Sequence, residues 1–418
     1  MSDPVQVCGA CGNESADTDP HPRCVRCHGL LEIRLPPPPQ QGNALRALFD
    51  ARLAVRRGPL ASGVWRFAEI VLPTAGSHIL SYPEGNTPLL ASSAVAAWVG
   101  GSVGELLLKH EGHNPTGSFK DRGMTVGVTQ ARRIGARAVA CASTGNTAAS
   151  LASYAAVAGL PALVLVPKGQ IAAGKLAQAL AYGARTLLVR GNFDACLELA
   201  DQASERLGVY LLNSVNPFRL EGQKTIVLEL LQQLAWEPPD WIVLPAGNLG
   251  NTAAFGKALA EARAWGLVDR VPRLAAVQAE GAAPFALSFR ENFSRPHRVT
   301  PHTVATAINI GNPVSYPRAV RAIRDTNGVV TTVSDDAILE AKAVVDRAGI
   351  GCEPASAAAA AGARRLVREG VIRPGERVVA VLTGHLLKDP ESITRRDHPN
   401  QPVEIDARLE AVERAMRG

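Results

Sequence analysis

Apolar and polar positions fall into two alternating patterns along most of this 418-residue chain. From about residue 105 onward, short apolar runs alternate with longer stretches of helical period. The runs at 106–109, 138–143, 162–166, 186–190, 209–213, 241–245, 274–279, 329–333 and 377–382 predict strands. The stretches 147–158, 174–182, 193–207, 221–234, 251–264, 335–348 and 354–369 predict helices. Apolar strands separated by helices imply parallel sheets covered on both faces. Nine strands are many for one sheet, so two α/β domains are expected. Upstream, Leu45, Leu48, Phe49 and Leu53 carry a helical period, which predicts a helical segment over 42–70.

Composition narrows the function classes. No run of 18 apolar residues occurs, so no membrane span is expected. The start, MSDPVQVC, lacks a basic segment followed by an apolar one, and no secretory signal is read there. The net charge of +6 comes mainly from arginines that are scattered rather than clustered. With aromatics at 5%, this gives neither a basic tail nor a stacking platform, so no nucleic-acid partner is expected. Cysteine usage points to the cytoplasm: four of seven lie in the first 27 residues, and Cys141, Cys196 and Cys352 are isolated in apolar patterns as core residues.

Those four, Cys8, Cys11, Cys24 and Cys27, form two Cys-x-x-Cys pairs in a turn-rich stretch with glycine. A redox pair would precede a helix in a thioredoxin-like fold. Paired knuckles instead suit a tetrahedral zinc site with a structural role. His21 and His28 are spare ligands, and ligands that no longer hold metal are the bland alternative. Pro36 to Pro39 then reads as a stiff linker.

The chemistry concentrates where strands end. The loop Gly247-Asn248-Leu249-Gly250-Asn251-Thr252 follows a predicted strand and opens a helix. Its glycines let the backbone curl around an anion, and the helix start offers free N–H groups. It contains no lysine, so it suits one phosphomonoester rather than a nucleotide. Only eight lysines occur. Lys257 and Lys342 lie mid-helix, where a solvated face is expected. Lys120 follows Pro115-Thr116-Gly117-Ser118 and opens a helix. The positive end of the helix dipole lowers a lysine pKa, as a Schiff-base lysine requires; a surface lysine beside Asp121 is the plain alternative. An imine lysine and a lysine-free phosphate loop together suggest pyridoxal phosphate. Asn146, in the loop STGNTAAS, then suits the ring hydroxyl, and Thr383 the ring nitrogen.

The stretches EGNTPLL (84–90), NPTGSFKDRG (114–123), STGNTAAS (143–150), LLNSVNPFRLEGQKT (211–225), GNLGN (247–251), AINIGNP (307–313), CEPASAAA (352–359) and TGHLLKDP (383–390) resemble the threonine synthases. These are pyridoxal-phosphate enzymes of the fold-type II, tryptophan synthase β-like group. The likeness runs in family order over roughly residues 80–390. It implies two parallel-sheet α/β domains with the active site between them. The larger would span 42–111 and 216–390 and the smaller 112–215. The knuckle (1–35) and linker (36–41) would precede them, and a tail helix (391–418) would follow. By resemblance Lys120 carries the cofactor and Phe119 flanks the ring. Asn146 takes the ring hydroxyl, and Gly247, Asn248, Leu249, Gly250 and Asn251 form the phosphate cup. Thr383 takes the ring nitrogen. Ser118, Thr147, Asn213, Ser214, Arg219 and Asn248 match the positions that meet the substrate phosphate. The implied reaction turns O-phosphohomoserine and water into threonine and phosphate, in an expected homodimer. Leu386 replaces a glycine usual in the family, and Tyr82-Pro83 stands where a glycine is common. A relative such as a cysteate synthase, acting on another phosphorylated amino acid, is the alternative. Glu353 and Ser356 lie at a helix start, where Glu353 reads as a capping residue.

Overall fold

A computed structural model describes residues 3–169, 173–191, 193–393 and 402–417 of the chain. At the N-terminus β1 (Val5–Cys8), β2 (Glu14–Ala16) and β3 (Leu31–Arg34) form an antiparallel sheet in the order β2-β1-β3. The knuckle, expected as a separate module, packs on the body. Ile33 and Leu35 enter the main hydrophobic core, Glu32 pairs with Arg321, and Asp17 receives Arg133 and Thr74. Residues Met1–Lys388 make one compact unit, and the proline run crosses it rather than dividing it.

Two sheets form the frame. The larger contains β4 (Leu89–Ala91), β5 (Glu105–His110), β10 (Trp241–Pro245), β11 (Arg273–Ala279), β12 (Val329–Val333) and β13 (Arg377–Leu382). Its order is β12-β11-β10-β13-β5-β4, and only β4 runs antiparallel. The smaller sheet is parallel throughout, in the order β8-β7-β6-β9. It contains β6 (Ala138–Ala142), β7 (Ala162–Pro167), β8 (Arg185–Val189) and β9 (Val209–Leu211).

Side chains alternate between the faces of each strand, so apolar runs feed two cores at once. Ile242, Leu244, Leu274 and Val379 pack with α1 (Gly42–Ala51), α8 (Thr225–Gln233), α9 (Gly250–Ala264), α10 (Pro284–Arg290) and α11 (Tyr316–Asp325). Trp241, Val243, Ala275 and Val378 pack with α2 (Ser93–Val99), α12 (Asp335–Arg347) and α13 (Pro354–Arg368) on the other face. The smaller sheet carries α3 (Lys120–Arg133), α4 (Asn146–Ala158) and α5 (Ala173–Ala181) on one side and α6 (Phe193–Leu207) on the other. The expected helix over 42–70 ends at Ala51 and gives way to short 3-10 turns; the chain is extended at Val55, and Gly58, at φ +79°, and Pro59, which lacks an N–H, keep the helix from resuming. The expected helix 221–234 divides at Lys224 into α7 (Pro217–Gln223) and α8. The second unit, Asp389–Gly418, contains α14 (Leu409–Arg417); of the expected tail, 394–401 and 418 lie outside the described residues.

A fully buried charge cluster joins these parts. Arg122, in the first turn of α3, holds Glu111 by Nε at 2.6 Å and Glu229 of α8 by Nη2 at 2.8 Å. Lys109 of β5 meets the same Glu229 at 2.6 Å and donates to Thr87 O and Gln233. Thr87 Oγ1 donates to Glu111, and the backbone N–H groups of Asn86 and Thr87 donate to Glu229. Burial alone would raise both carboxyl pKa values. Arg122 first, then Lys109 among the other charges, draws both below the ordinary 4.5. The cluster's contribution is therefore complete above about pH 4.5 and fades as pH falls below it.

Glu229→Ala leaves Arg122 and Lys109 buried without their shared partner. A stability loss of about 3–5 kcal/mol is expected in equilibrium urea unfolding at neutral pH. A loss below about 1 kcal/mol, the range of surface pairs, would show that the cluster does not hold these segments together.

Candidate active site

Lys120 is the first residue of α3, and the chain before it is pinned to the end of β13. Phe119 N donates to Thr383 O at 3.0 Å, His385 N to Gly117 O at 2.9 Å, and Ser118 bridges Gly384. Lys120 is half-buried, with Nζ 4.2 Å from the Phe119 ring centroid, and no described hydrogen bond or ion pair engages it. Burial first, then the positive Arg219, draws its pKa down to about 7, while Glu353 opposes the shift. Asp121, beside it, accepts from Thr116 N, Thr116 Oγ1 and Ser150 Oγ, and so fixes the turn that leads into α3.

The loop after β10 has the strained geometry of a ligand cradle. Leu249 takes φ +64° at the start of α9, a conformation that costs a non-glycine residue. Gly247 presses against the 307–313 segment: a Cβ there would meet Ile308 Cα at 2.9 Å. Gly250 and Asn251 begin α9 with free N–H groups. The side-chain oxygens of Asn251 and Thr252 are buried without partners, as is Ser118 Oγ. The Thr252 and Ser118 hydroxyls can donate to an anion, whereas Asn251 Oδ1 can only accept.

Arg219, expected to meet the substrate phosphate, lies on α7 (Pro217–Gln223). Asn216 caps this helix and Pro217 opens it, which sets Arg219 two residues in. Arg219 is 2% exposed. Its Nη1 donates to Leu212 O at 3.2 Å, Nε is unpartnered, and no described acid pairs with it. Burial draws its pKa down to about 10. The helix lies unusually close to α3, because a Cβ at Gly222 would meet Arg122 O at 1.8 Å. That contact brings the two cations, Lys120 and Arg219, into one site. Asn248 Nδ2 donates to Ser214 Oγ at 2.6 Å, linking the loop after β9 to the loop after β10. Asn213 exchanges both side-chain bonds with the backbone of Ala142, at 2.9 Å each, so it ties the β6 end to the same loop. Thr147, one residue into α4, is half-buried with no described partner.

Several sequence readings change. Glu353 does not cap α13; its carboxylate accepts from Asn146 Nδ2 at 3.1 Å. Glutamate is a poor capping residue, which was the available signal. Lys257 and Lys342 are not on solvated faces: Lys257 pairs with Glu221 and Glu261, and Lys342 with Asp346 and Cys352 O. Lys388, given no role from sequence, donates to Thr116 O at 3.0 Å and to Gln178. Leu386 packs on Gly351. Cys141, Cys196 and Cys352 are buried, as expected. At the N-terminus the sulfurs of Cys8, Cys11, Cys24 and Cys27 all lie within 4.8 Å of one another. Four bonds of about 2.3 Å to one zinc ion require sulfurs roughly 3.8 Å apart. Observed separations of 3.3, 3.4 and 3.7 Å suit that geometry.

Residues 80–384 match the pyridoxal-phosphate dependent enzyme family. A threonine synthase of Methanocaldococcus jannaschii is 42% identical over 416 residues, covering 99% of both chains. One of Methanosarcina acetivorans is 43% identical over 98% of each. In fold, the chain is similar to the crystal structure of threonine synthase from Escherichia coli, with a TM-score of 0.71 at 20% identity, over 98% of this chain and 94% of that one.

Proposed function

Because the chain belongs to the threonine synthases of the pyridoxal-phosphate dependent enzyme family, we propose that it converts O-phospho-L-homoserine and water to L-threonine and phosphate. The observation that carries this reading is the buried Arg219, paired with no acid among the described residues, beside a lysine whose pKa is drawn down to about 7 by burial and by Arg219. A dehydratase that binds one phosphate needs only the Gly247–Asn251 cup. Arg219, Ser214 and Asn248 supply a second place for one.

The residues present fit pyridoxal phosphate. Gly247, Asn248, Leu249, Gly250 and Asn251 would hold its phosphate with backbone N–H groups, beside the unpartnered Thr252 hydroxyl. Lys120 would bond its carbonyl carbon, with Phe119 along the ring. Asn146 would meet the ring hydroxyl, and Thr383 the ring nitrogen. When bound, the cofactor supplies an electron sink for charge that develops beside the amine-bearing carbon. Lys120 takes the proton from substrate Cα, and its depressed pKa makes a neutral amine available for that task. Arg219 holds the γ-phosphate with charge-assisted bonds and stabilises the dianion as the Cγ–O bond breaks. Ser118 and Thr147 offer hydroxyls to the same group. Asn213 positions Ser214 by anchoring the loop to Ala142. Cβ loses a proton as the Cγ–O bond breaks, water gives its hydroxyl to Cβ, Cγ gains one proton, and phosphate leaves with the other as hydrogen phosphate, so atoms balance.

The four cysteines would hold one zinc ion with no open position. The resulting brace reaches the site from behind. Asp17 ties it to Gln130 and Arg133 of α3, the helix that Lys120 opens. Leu31 and Glu32 tie it to Arg318 and Arg321 of α11. Thiols kept reduced for zinc support a cytoplasmic setting. No described helix is long and apolar enough to cross a membrane. The resemblance supports a homodimer.

Incubated with phosphohomoserine, the enzyme should release phosphate and threonine in equal amounts, with little ketoacid from serine or threonine. Arg219→Ala should raise KM and slow phosphate release, at a cost of about 2–4 kcal/mol in transition-state stabilisation. Preference for phosphoserine in the same panel, or full turnover by the variant, contradicts the reading. Metal analysis of protein purified without chelator should find about one zinc per chain, lost in Cys24→Ser. Active, stable enzyme without zinc removes the metal from the account.

A further inference from the structure

The start of α13 is where a short polar side chain would cap a helix, yet Glu353 makes no capping bond. Its carboxylate turns toward the site. Oε2 accepts from Asn146 Nδ2 at 3.1 Å, and Oε1 accepts from Thr383 Oγ1 at 3.5 Å. Thr383 Oγ1 also lies 2.9 Å from Ser356 Oγ, and Gly384 N donates to that hydroxyl at 2.9 Å. One buried carboxylate therefore reaches both side chains proposed for the ring hydroxyl and the ring nitrogen. These side chains come from α4 and from the end of β13, which no other described side chain bridges.

We infer that Glu353 is a positioning residue of the reaction: its carboxylate orients Asn146 and Thr383 and balances the charge on Lys120. The inference rests on the pyridoxal-phosphate reading. Asn146 can present its amide in two flipped orientations, and a carboxylate, which only accepts, permits only the one with Nδ2 toward it. Thr383 likewise has one proton, and its direction decides whether the hydroxyl gives or takes toward a ring atom. The charge matters as well as the shape. Arg219 on α7 and Lys388 after β13 are cations near Lys120 and Glu353 respectively, and Asp121 of α3 is already committed to Thr116 and Ser150. Glu353 is the carboxylate that favours the protonated form of Lys120 against Arg219. A capping or packing role predicts none of this.

The test uses holoenzyme of the wild type, Glu353→Gln and Glu353→Asp. Glutamine keeps the shape but replaces one acceptor with a donor and removes the charge. Aspartate keeps the charge on a shorter arm. The pH titration of the bound cofactor's visible absorbance is read beside kcat and KM. Glu353→Gln should retain the cofactor but move the absorbance midpoint to lower pH by about one unit. Its kcat should fall by about 10²-fold, as misplacement of reacting groups does. KM for phosphohomoserine should change less than about threefold, because Arg219 is untouched. Glu353→Asp should restore the midpoint and part of kcat. A Glu353→Gln enzyme with wild-type spectrum and kcat, and only a lower melting temperature, overturns the inference. Wild-type protein that takes up no cofactor, and so has no visible band to titrate, overturns the cofactor reading itself, a separate outcome.

Discussion

Arg122, Lys109, Glu111 and Glu229 lie together out of reach of water, and none of them can be separated from the others without stranding a charge. That constraint organises the molecule. Arg122 belongs to the first turn of α3, Lys109 and Glu111 to the end of β5 and the turn beyond, and Glu229 to α8. The same carboxylates take the N–H groups of Asn86 and Thr87 and the hydroxyl of Thr87. A helix from the smaller sheet, a strand from the larger sheet and the 84–87 loop therefore meet in one fixed arrangement. Lys120 stands two residues before Arg122, so its backbone position follows from the cluster. Nonpolar side chains of equal volume would give a softer joint without the directional bonds that set the turn.

Above that foundation the site is electrostatically unbalanced. Lys120 and Arg219 approach one another because glycine at 222 admits close packing of α7 on α3. Burial and mutual repulsion lower the pKa of Lys120, and burial lowers that of Arg219. Glu353 compensates only in part. Such a place favours anions, and the Ser118 and Thr252 hydroxyls and Arg219 Nε have no hydrogen-bond partner among the described residues. A buried, uncompensated arginine is a poor structural element and a good phosphate ligand.

Much of the frame was legible in the sequence, because parallel strands buried on both faces read as apolar runs with little ambiguity. The nine predicted strands lie within two residues of those observed at either end. Helix starts with chemical signals were also readable, such as Asn216-Pro217 and the glycine loop before α9. What sequence concealed was side-chain direction at a distance. Glu353 reads locally as a helix-start residue, and only the fold reveals that Asn146, 207 positions earlier, faces it. Lys257 and Lys342 look like solvated helix positions until the acids that bury with them are known. The helix over 42–70 stops at Ala51, and Gly58-Pro59, a local signal that the apolar period outweighed, keeps it from resuming. Lys109 in an apolar strand is itself a signal of a buried partner, since an unpaired lysine cannot occupy such a place.

Lys120 is the lysine proposed to bond the cofactor. Two lysines stand near the site, Lys120 at the start of α3 and Lys388 beyond β13, and only the first lacks a hydrogen-bond partner among the described residues. Borohydride reduction of the holoenzyme, followed by peptide mapping, distinguishes them directly. The reduced cofactor is predicted on Lys120 alone, in the peptide that contains Ser118-Phe119-Lys120. Its recovery on Lys388, or on any other lysine, would contradict the assignment and the geometry built on it.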